Sequence, residues 1–597
     1  MTDSTQIGDK FLFESAEQTD TENLYSKGKS IAYAIDLNQG GYTSGQIIID
    51  LTNQLSGGAG AASLRDAYVV VPYCVNMQGL VAQTKSANLM SIGYKCGLWN
   101  IVDRVQVEMG GKTIITPQNY LNMANNVRAM TDWSYDDVQK WGANSMLYPD
   151  DVNSIGFQLG TGTAAGGSTT AFNNGDGWYN NTTNIYSTLA PTLYTTPTTG
   201  QVTPLVGGNF GFTKRLLANS NSSGGNTFGW LSNTAANSAA INASSGKSTF
   251  VPGTNAGSAS MGTWYTMVKL RLIDLHPIFR ELDLSQNPKL KITLFMNTGT
   301  VTMNQGSTTN NAVNQMQVGT VSLTQGNTCP VMISSLASSN VNNGIIANTN
   351  GSTPAASFNV SFGVLTGCAN VTAANCGTYF PFTTTRLYVP FYDLIDQSAL
   401  IERPLKTHHY IDYFTQIYRG QANTYNSNFQ LQLSANLKNL RSVCLIPFQN
   451  TSGTVTGNTV YGVNNVDTFA TLQDSAPWTC CPGASITNFN VMVGNTWLYN
   501  NQINYTYQQF IDEFSKFNAL NGGLTHYLSN GLIDEYKWSM AQSFYLTDVS
   551  RIAQDVPQAV LIQGTNNCNS GLDFVVILGY ERSITENRIT GEIPEYT

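Results

Sequence analysis

The sequence specifies an all-β protein built from two tandem units, and three observations lead there. Charged residues make up only 11% of the 597 residues, against roughly 25% in an ordinary soluble domain. Asn, Thr, Ser and Gly take their place, a mixture that favours strands joined by turns over helices. The apolar residues fall in short runs that alternate with polar ones, the period of a sheet with one buried face. The length exceeds what a single core organises, so the chain divides into two large domains.

Taken in order, residues 1–28 read as a flexible arm, acidic and polar, with no apolar stretch of the signal-peptide kind. From Ser30, IAYAIDL and GQIIIDLTNQL read as strands, and RDAYVVVPYCV from Arg65 is an apolar run of buried-strand length. In the stretch that follows, Val105, Val107 and Met109 alternate with Arg104, Gln106 and Glu108, and Gly110-Gly111 suits a two-residue hairpin turn. Gly111-Lys112-Thr113 lacks the P-loop context. Gln106 stands where that motif needs glycine, and a strand follows where it needs a helix. Local helices are expected after Thr116-Pro117 (Tyr120, Leu121, Ala124, Val127) and from Ser134, with Asp137 three residues on, to Gly142.

Residues 160–262 are dominated by Gly, Ser, Thr, Asn and Ala, with sparse anchors such as Trp178, Phe210, Phe212 and Trp230. This is a long surface insertion rather than a set of regular strands. Order returns at Met267–Asn297, MVKLRLIDLHPIFRELDLSQNPKLKITLFMN. A strand carries Val268, Leu270 and Leu272, a short turn of helix follows from Pro277 with Asp274 as its cap, and a second strand carries Leu290, Ile292 and Leu294. These read as closing strands of a first domain, residues 29–298, followed by a linker over 299–327 and a second domain over 328–597. Thr384–Leu394, TTRLYVPFYDL, repeats the phrase at Arg65–Val75, so the two copies mark the openings of two similar units. YIDYFTQIYRG, FQLQLSA, LRSVCLIPF and WSMAQSFYLTDVSR read as further strands. Between them a helix runs from about Thr506 to Ala519, with Tyr507, Phe510, Ile511, Phe514 and Phe517 on one face.

Met267–Asn297 resembles the end of the first jelly roll in double-jelly-roll major capsid proteins of virophages and Polinton-like DNA viruses. The C-terminal segments Ser550-Arg551, Gln563–Asn567, Leu572–Val576, Tyr580-Glu581-Arg582 and Ile589-Thr590-Gly591 resemble the closing strands of the same family. The resemblance implies two tandem antiparallel jelly rolls, with short inserted helices and long surface loops at their ends. It implies a structural protein of an icosahedral virion, assembled inside a host cell, whose trimer presents six similar barrels as a pseudo-hexagonal tile. The implied partners are further copies of the chain, neighbouring capsomers, a penton protein and minor or cement proteins. The composition also permits a secreted or cell-surface carbohydrate-binding β-sandwich. Against it stand the missing signal peptide and disulfide framework.

No catalytic, cofactor-binding or metal-ligating residue is nominated. Motifs of the H-E-x-x-H and G-x-S-x-G kinds are missing, and the four histidines stand at no ligand spacing to a cysteine. His408-His409 lies beside Glu402, Arg403 and Asp412, but neighbours on a strand point to opposite faces. Asp512-Glu513 reads as the solvated side of its helix. Nine cysteines with no C-x-x-C pair read as buried thiols, although Cys368 with Cys376, or Cys480 with Cys481, could bridge. A net charge of -8 with no basic arm gives phosphate backbones nothing to bind, and no apolar run approaches the roughly 20 residues that cross a bilayer.

Overall fold

The computed structural model describes residues 26–52, 54–55, 60–83, 90–149, 155–157, 178–180, 215, 217, 250–252, 258–282, 284–305, 316–335, 358–395, 398–422, 426–450, 486–520, 531–540, 543–567 and 571–596. The first unit is built on β1 (Ser26–Ile35), β2 (Gln46–Asp50), β3 (Tyr68–Gln83), β4 (Val102–Met109), β5 (Lys112–Ile115), β6 (Ser258–Arg271) and β7 (Leu290–Met296). Next come β8 (Thr298–Gln305), β9 (Met316–Gln325) and β10 (Phe358–Val364), before β11 (Arg386–Leu394) returns to the unit. One sheet runs β1-β11-β3-β6 and the facing sheet runs β2-β7-β4-β5, every pairing antiparallel.

The second unit contains β12 (Leu405–Ala422), β13 (Asn428–Leu437), β14 (Leu440–Asn450), β15 (Ile486–Val493), β16 (Thr496–Trp497), β17 (Tyr545–Asp548), β18 (Gln558–Asn566) and β19 (Gly571–Asn587). Its sheets run β12-β19-β14-β17 and β13-β18-β15-β16. Numbering eight strands within each unit gives the same two orders both times, 1-8-3-6 against 2-7-4-5. That is the order of an eight-stranded jelly roll made of two Greek keys. The fold class expected from the sequence is therefore the fold observed: two tandem antiparallel jelly rolls.

The pairing redraws the expected boundaries. Residues 299–327, expected as a linker, hold β8 and β9. With β10 these strands extend the first sheet beside β3, β10 pairing with Tyr73–Gly79 while β6 holds the other edge. Met267–Asn297 supplies the sixth and seventh strands rather than the closing one, which is β11. The phrase shared by Arg65–Val75 and Thr384–Leu394 marks two neighbours in one sheet, with Val70 opposite Arg386 and Tyr68 opposite Tyr388. The reason is physical: β3 and β11 are both inner strands of one sheet with a buried face, and such strands converge on runs of Val and aromatic residues whatever their place in a topology.

Asn297 marks the corner where the chain leaves β7 for β8, and it is wholly buried. Its side-chain amide donates to Asn100 O (2.8 Å) and Thr328 Oγ1 (2.9 Å), its Oδ1 accepts from the amides of Asn327 and Thr328, and its carbonyl accepts from Tyr73 Oη (2.6 Å). A polar residue at a sheet-to-sheet corner is thus fully satisfied.

The local helices form close to where expected. Helix α1 spans Leu121–Asp132, and α2 spans Tyr135–Ser145 with a complete Ser134/Asp137 capping box. Helix α3 spans Tyr507–Leu520 and α4 spans Glu535–Met540, so Trp538–Met540, expected to open a strand, are helical and the strand begins at Tyr545. Gly110 (φ 55°) and Gly111 (φ 80°) make the hairpin between β4 and β5, both in the left-handed region. Arm residues 1–25 and most of the expected insertion, with Phe210, Phe212 and Trp230, lie outside the described residues. Within 160–262, Phe250–Pro252 and the first residues of β6 are already paired strand, so regular structure resumes earlier than the composition indicates. Trp178–Asn180 pairs with Ile155–Phe157.

Candidate functional site

The feature that organises these barrels is the seam between them. On the first barrel it is lined by the end of β5, by α1 and by the turn after β6. On the second it is lined by β12 and β19, which lie side by side with Tyr410 opposite Arg582 and Asp412 opposite Tyr580. Alternation puts Tyr410 and Asp412 on one face of β12, so a polar face carrying aromatics is presented to the neighbouring barrel.

Asp412 is the centre of the seam. Its Oδ1 accepts from Tyr413 N (2.8 Å) and lies 3.1 Å from His276 Nε2. Its Oδ2 accepts from Tyr580 Oη (2.9 Å) and Arg582 Nη1 (2.9 Å). Arg582 and Tyr410 both donate to Ile114 O, at 3.2 and 3.1 Å, across the interface. His276 is fully buried, and its Nδ1 accepts from Ile278 N (3.2 Å), capping the 3₁₀ turn Pro277–Arg280. With Nδ1 an acceptor, the proton resides on Nε2 and is donated to Asp412, which fixes a neutral imidazole in one tautomer.

The electrostatics follow this geometry. Burial, with Arg128 and Arg582 nearby, outweighs Asp412 and holds His276 below its ordinary value. Burial works against ionising Asp412, but the hydrogen bonds from His276 and Arg582 and the Arg582 charge prevail and keep it below the usual carboxylate range. Burial and then the Asp412 charge push the Tyr580 phenol up, so it remains a donor. One carboxylate with four donors is balanced by one guanidinium, an arrangement that fixes register between two bodies more than it adds net stability.

Outlying contacts extend the seam. Thr415 Oγ1 donates to Asn119 O, Leu532 N donates to Met130 O (2.7 Å), and Gln286 N donates to Arg588 O (2.8 Å). Lys537 Nζ contacts Tyr135 Oη and lies 4.6 Å from the centre of that ring. Gly110 packs against Gly591–Ile593, where a Cβ would meet backbone atoms at about 3.0 Å.

Several sequence readings are corrected here. Asp274 caps no helix. It takes a bidentate bond from Arg271 (2.9 and 2.8 Å) and a bond from Ser145 Oγ (2.7 Å), while His276 does the capping. Glu513 is not solvated: it is buried and accepts from Tyr499 Oη, Gln509 Nε2 and Asp548 N, tying α3 to β17. His408 and His409 do point to opposite faces. His408 is buried against Glu586 (3.1 Å), whereas His409 is exposed, 3.6 Å from Glu581. Cys368 and Cys376 are both free thiols, and Cys376 contacts Cys74. Cys480 and Cys481 lie outside the described residues. Among the described residues no group of three or more His, Cys, Asp or Glu is placed to hold a metal ion, and no helix is long and apolar enough to cross a membrane.

Sequence reasoning flagged Asp412 only as a neighbour of His408 and missed its partners, because His276 stands 136 residues away and Arg582 stands 170. The available signal was an acid, and later an arginine, alternating with tyrosines on strands that otherwise read as half-buried.

No family model and no curated protein matches the sequence. Among solved structures the chain is similar to the Sputnik virophage, with 10% identity over 97% of this chain and 91% of that chain and a TM-score of 0.48. It is similar to the mavirus major capsid protein, with 10% identity over 97% and 93% and a TM-score of 0.40. It is also similar to a chain of the PBCV-1 virus capsid, with 9% identity over 97% and 100% and a TM-score of 0.36.

Proposed function

We propose that this chain is a major capsid protein whose work is structural. The observation that carries the reading is the pair of jelly rolls of identical strand order, joined through a buried polar seam into one two-barrel body. A capsid tile needs that property, because a shell transmits load through rigid subunits, and two independently tumbling barrels could not hold a lattice angle. The sequence resemblance at Met267–Asn297 and at the C-terminal strands supports the same reading.

On this reading three copies present six barrels as a pseudo-hexagonal capsomer of an icosahedral virion. Neighbouring capsomers, a penton protein and minor or cement proteins are the partners. Low charge leaves few ion pairs to hold copies together, so the contacts are broad and flush. Light scattering on the chromatographed protein should give close to three times 64.7 kDa. Electron micrographs should show hexagonal particles. A monomer at micromolar concentration and neutral pH would overturn the reading.

A further inference from the structure

The outward face of the β1-β11-β3-β6 sheet concentrates positive charge and aromatic rings in a chain whose net charge is -8. Tyr33, Tyr388 and Tyr68 form a row across three strands, with ring centres 5.8 and 5.2 Å apart. Cations lie over the rings: Arg386 over Tyr33 (5.0 Å) and Phe382 (3.9 Å), Lys269 over Tyr68 (4.2 Å), and Lys29 over Tyr392 (5.2 Å). Beside them Ile31 is 54% and Tyr33 48% exposed. Asp66 accepts from Tyr392 Oη beside the row. Strand β1 is also the outermost strand of its sheet. Gln54 closes its far end by bonding both Ile35 N and Ile35 O, and among the described strands β1 pairs with β11 alone. An edge strand with exposed Ile and Tyr is a surface that native proteins cover.

Residues 1–25 have the complementary chemistry. They carry six carboxylates (Asp3, Asp9, Glu14, Glu17, Asp20 and Glu22), one lysine (Lys10) and the apolar triplet Phe11-Leu12-Phe13. They end where β1 begins. Phe13 stands thirteen residues before Ser26, whereas Ile31 stands only five after it, so a chain covering about 3.3 Å per residue reaches the face with length to spare. Tethering at the root of the face gives an effective concentration of about millimolar, which favours this segment over any free acidic peptide. We propose that the acidic segment 1–25 of each chain docks on its own chain's Lys29–Ile31–Tyr33–Arg386 face, covering the exposed Ile31 and Tyr33 side chains. The proposal is independent of the capsid reading and stands or falls without it.

The test is backbone hydrogen exchange on the full-length protein, read by mass spectrometry for peptides spanning β1 and, as an internal reference, β19. The neutralised variant D9N/E14Q/E17Q/D20N/E22Q and, separately, Arg386→Glu should each speed exchange in residues 28–34 by at least tenfold at low salt. In the unaltered protein, 1 M salt should produce the same change, and β19 should not respond to any of the three. Equal β1 exchange in all four samples overturns the proposal. β1 protection that rises with protein concentration also overturns it, because the segment then comes from a neighbouring copy. Should Arg386→Glu fail to fold, the neutralised variant and the salt series still decide the outcome, since neither alters a residue of the barrel.

Discussion

Among single residues Asp412 carries the most consequence. Replacing it with alanine leaves the half-buried Arg582 without its counter-charge, a loss bounded by the about 3–5 kcal/mol that breaking a fully buried pair costs. Urea unfolding of Asp412→Ala should show that loss, and the Asp412→Ala/Arg582→Met double variant should recover part of it, because the orphaned charge is then gone. His276 adds a pH dependence. Its folded form binds a proton less readily than the unfolded chain, whose histidine titrates near 6.5. Stability from this group is complete above that pH and is lost as the pH falls below it. Asp412 has the same sign, but acts only below the ordinary aspartate value of 3.8. Asp103 has the opposite sign: burial raises it to about 6, so its contribution is complete below 3.8 and is lost as the pH rises toward 6. The urea midpoint should therefore hold from pH 7.5 to about 6.5, fall as the pH drops to about 6, and level off below. In Asp103→Asn the fall should continue below pH 6, and in His276→Gln the first fall should be absent.

Single elements do two jobs in this fold, and the β4–β5 hairpin shows how to separate them. Both of its glycines have positive φ, so alanine at either costs about 1–2 kcal/mol in backbone strain. Gly111 faces open space, whereas a Cβ on Gly110 meets Gly591–Ile593 of the second barrel. Gly110→Ala should therefore destabilise more than Gly111→Ala, and only Gly110→Ala should speed hydrogen exchange around residues 589–593. Equal effects of the two substitutions would mean that the hairpin contributes nothing to the seam. Helix α3 is similarly double: Phe510 and Phe514 fill the core, while Glu513 reaches Asp548 N and so anchors the helix to β17.

At the scale of the molecule, the buried apolar residues of both barrels form one connected cluster, and the polar seam fixes how the barrels meet. Cooperative unfolding follows, because neither barrel can melt without exposing the face it shows the other. Chemical denaturation at neutral pH should give a single transition by tryptophan fluorescence and by circular dichroism. Weakening the seam with Asp412→Ala should split it into two. A split already present in the unaltered protein would make the barrels independent, and would remove the rigidity on which the capsid reading rests.

What the sequence determined by itself was set by local physics. Alternation at Val105–Met109 and Leu290–Leu294, the Gly110-Gly111 turn, the Ser134/Asp137 cap and the aromatic face of α3 each follow from interactions between near neighbours. The all-β class follows from summing them. The jelly-roll pairs were legible only through family resemblance, because strand order depends on which buried edges meet, and the β3 and β11 phrases look alike although they are partners in one sheet. The linker expected at 299–327 failed for a related reason: Thr, Asn and Gly serve an edge strand as well as a loop when a neighbouring strand supplies the hydrogen bonds. The seam was the least legible feature. An acid among tyrosines looks the same in water as in an interface until the fold places His276, Asp412 and Arg582 within hydrogen-bond distance, and the balance of burial against the hydrogen bonds and charges around each group then decides which of them keeps its charge.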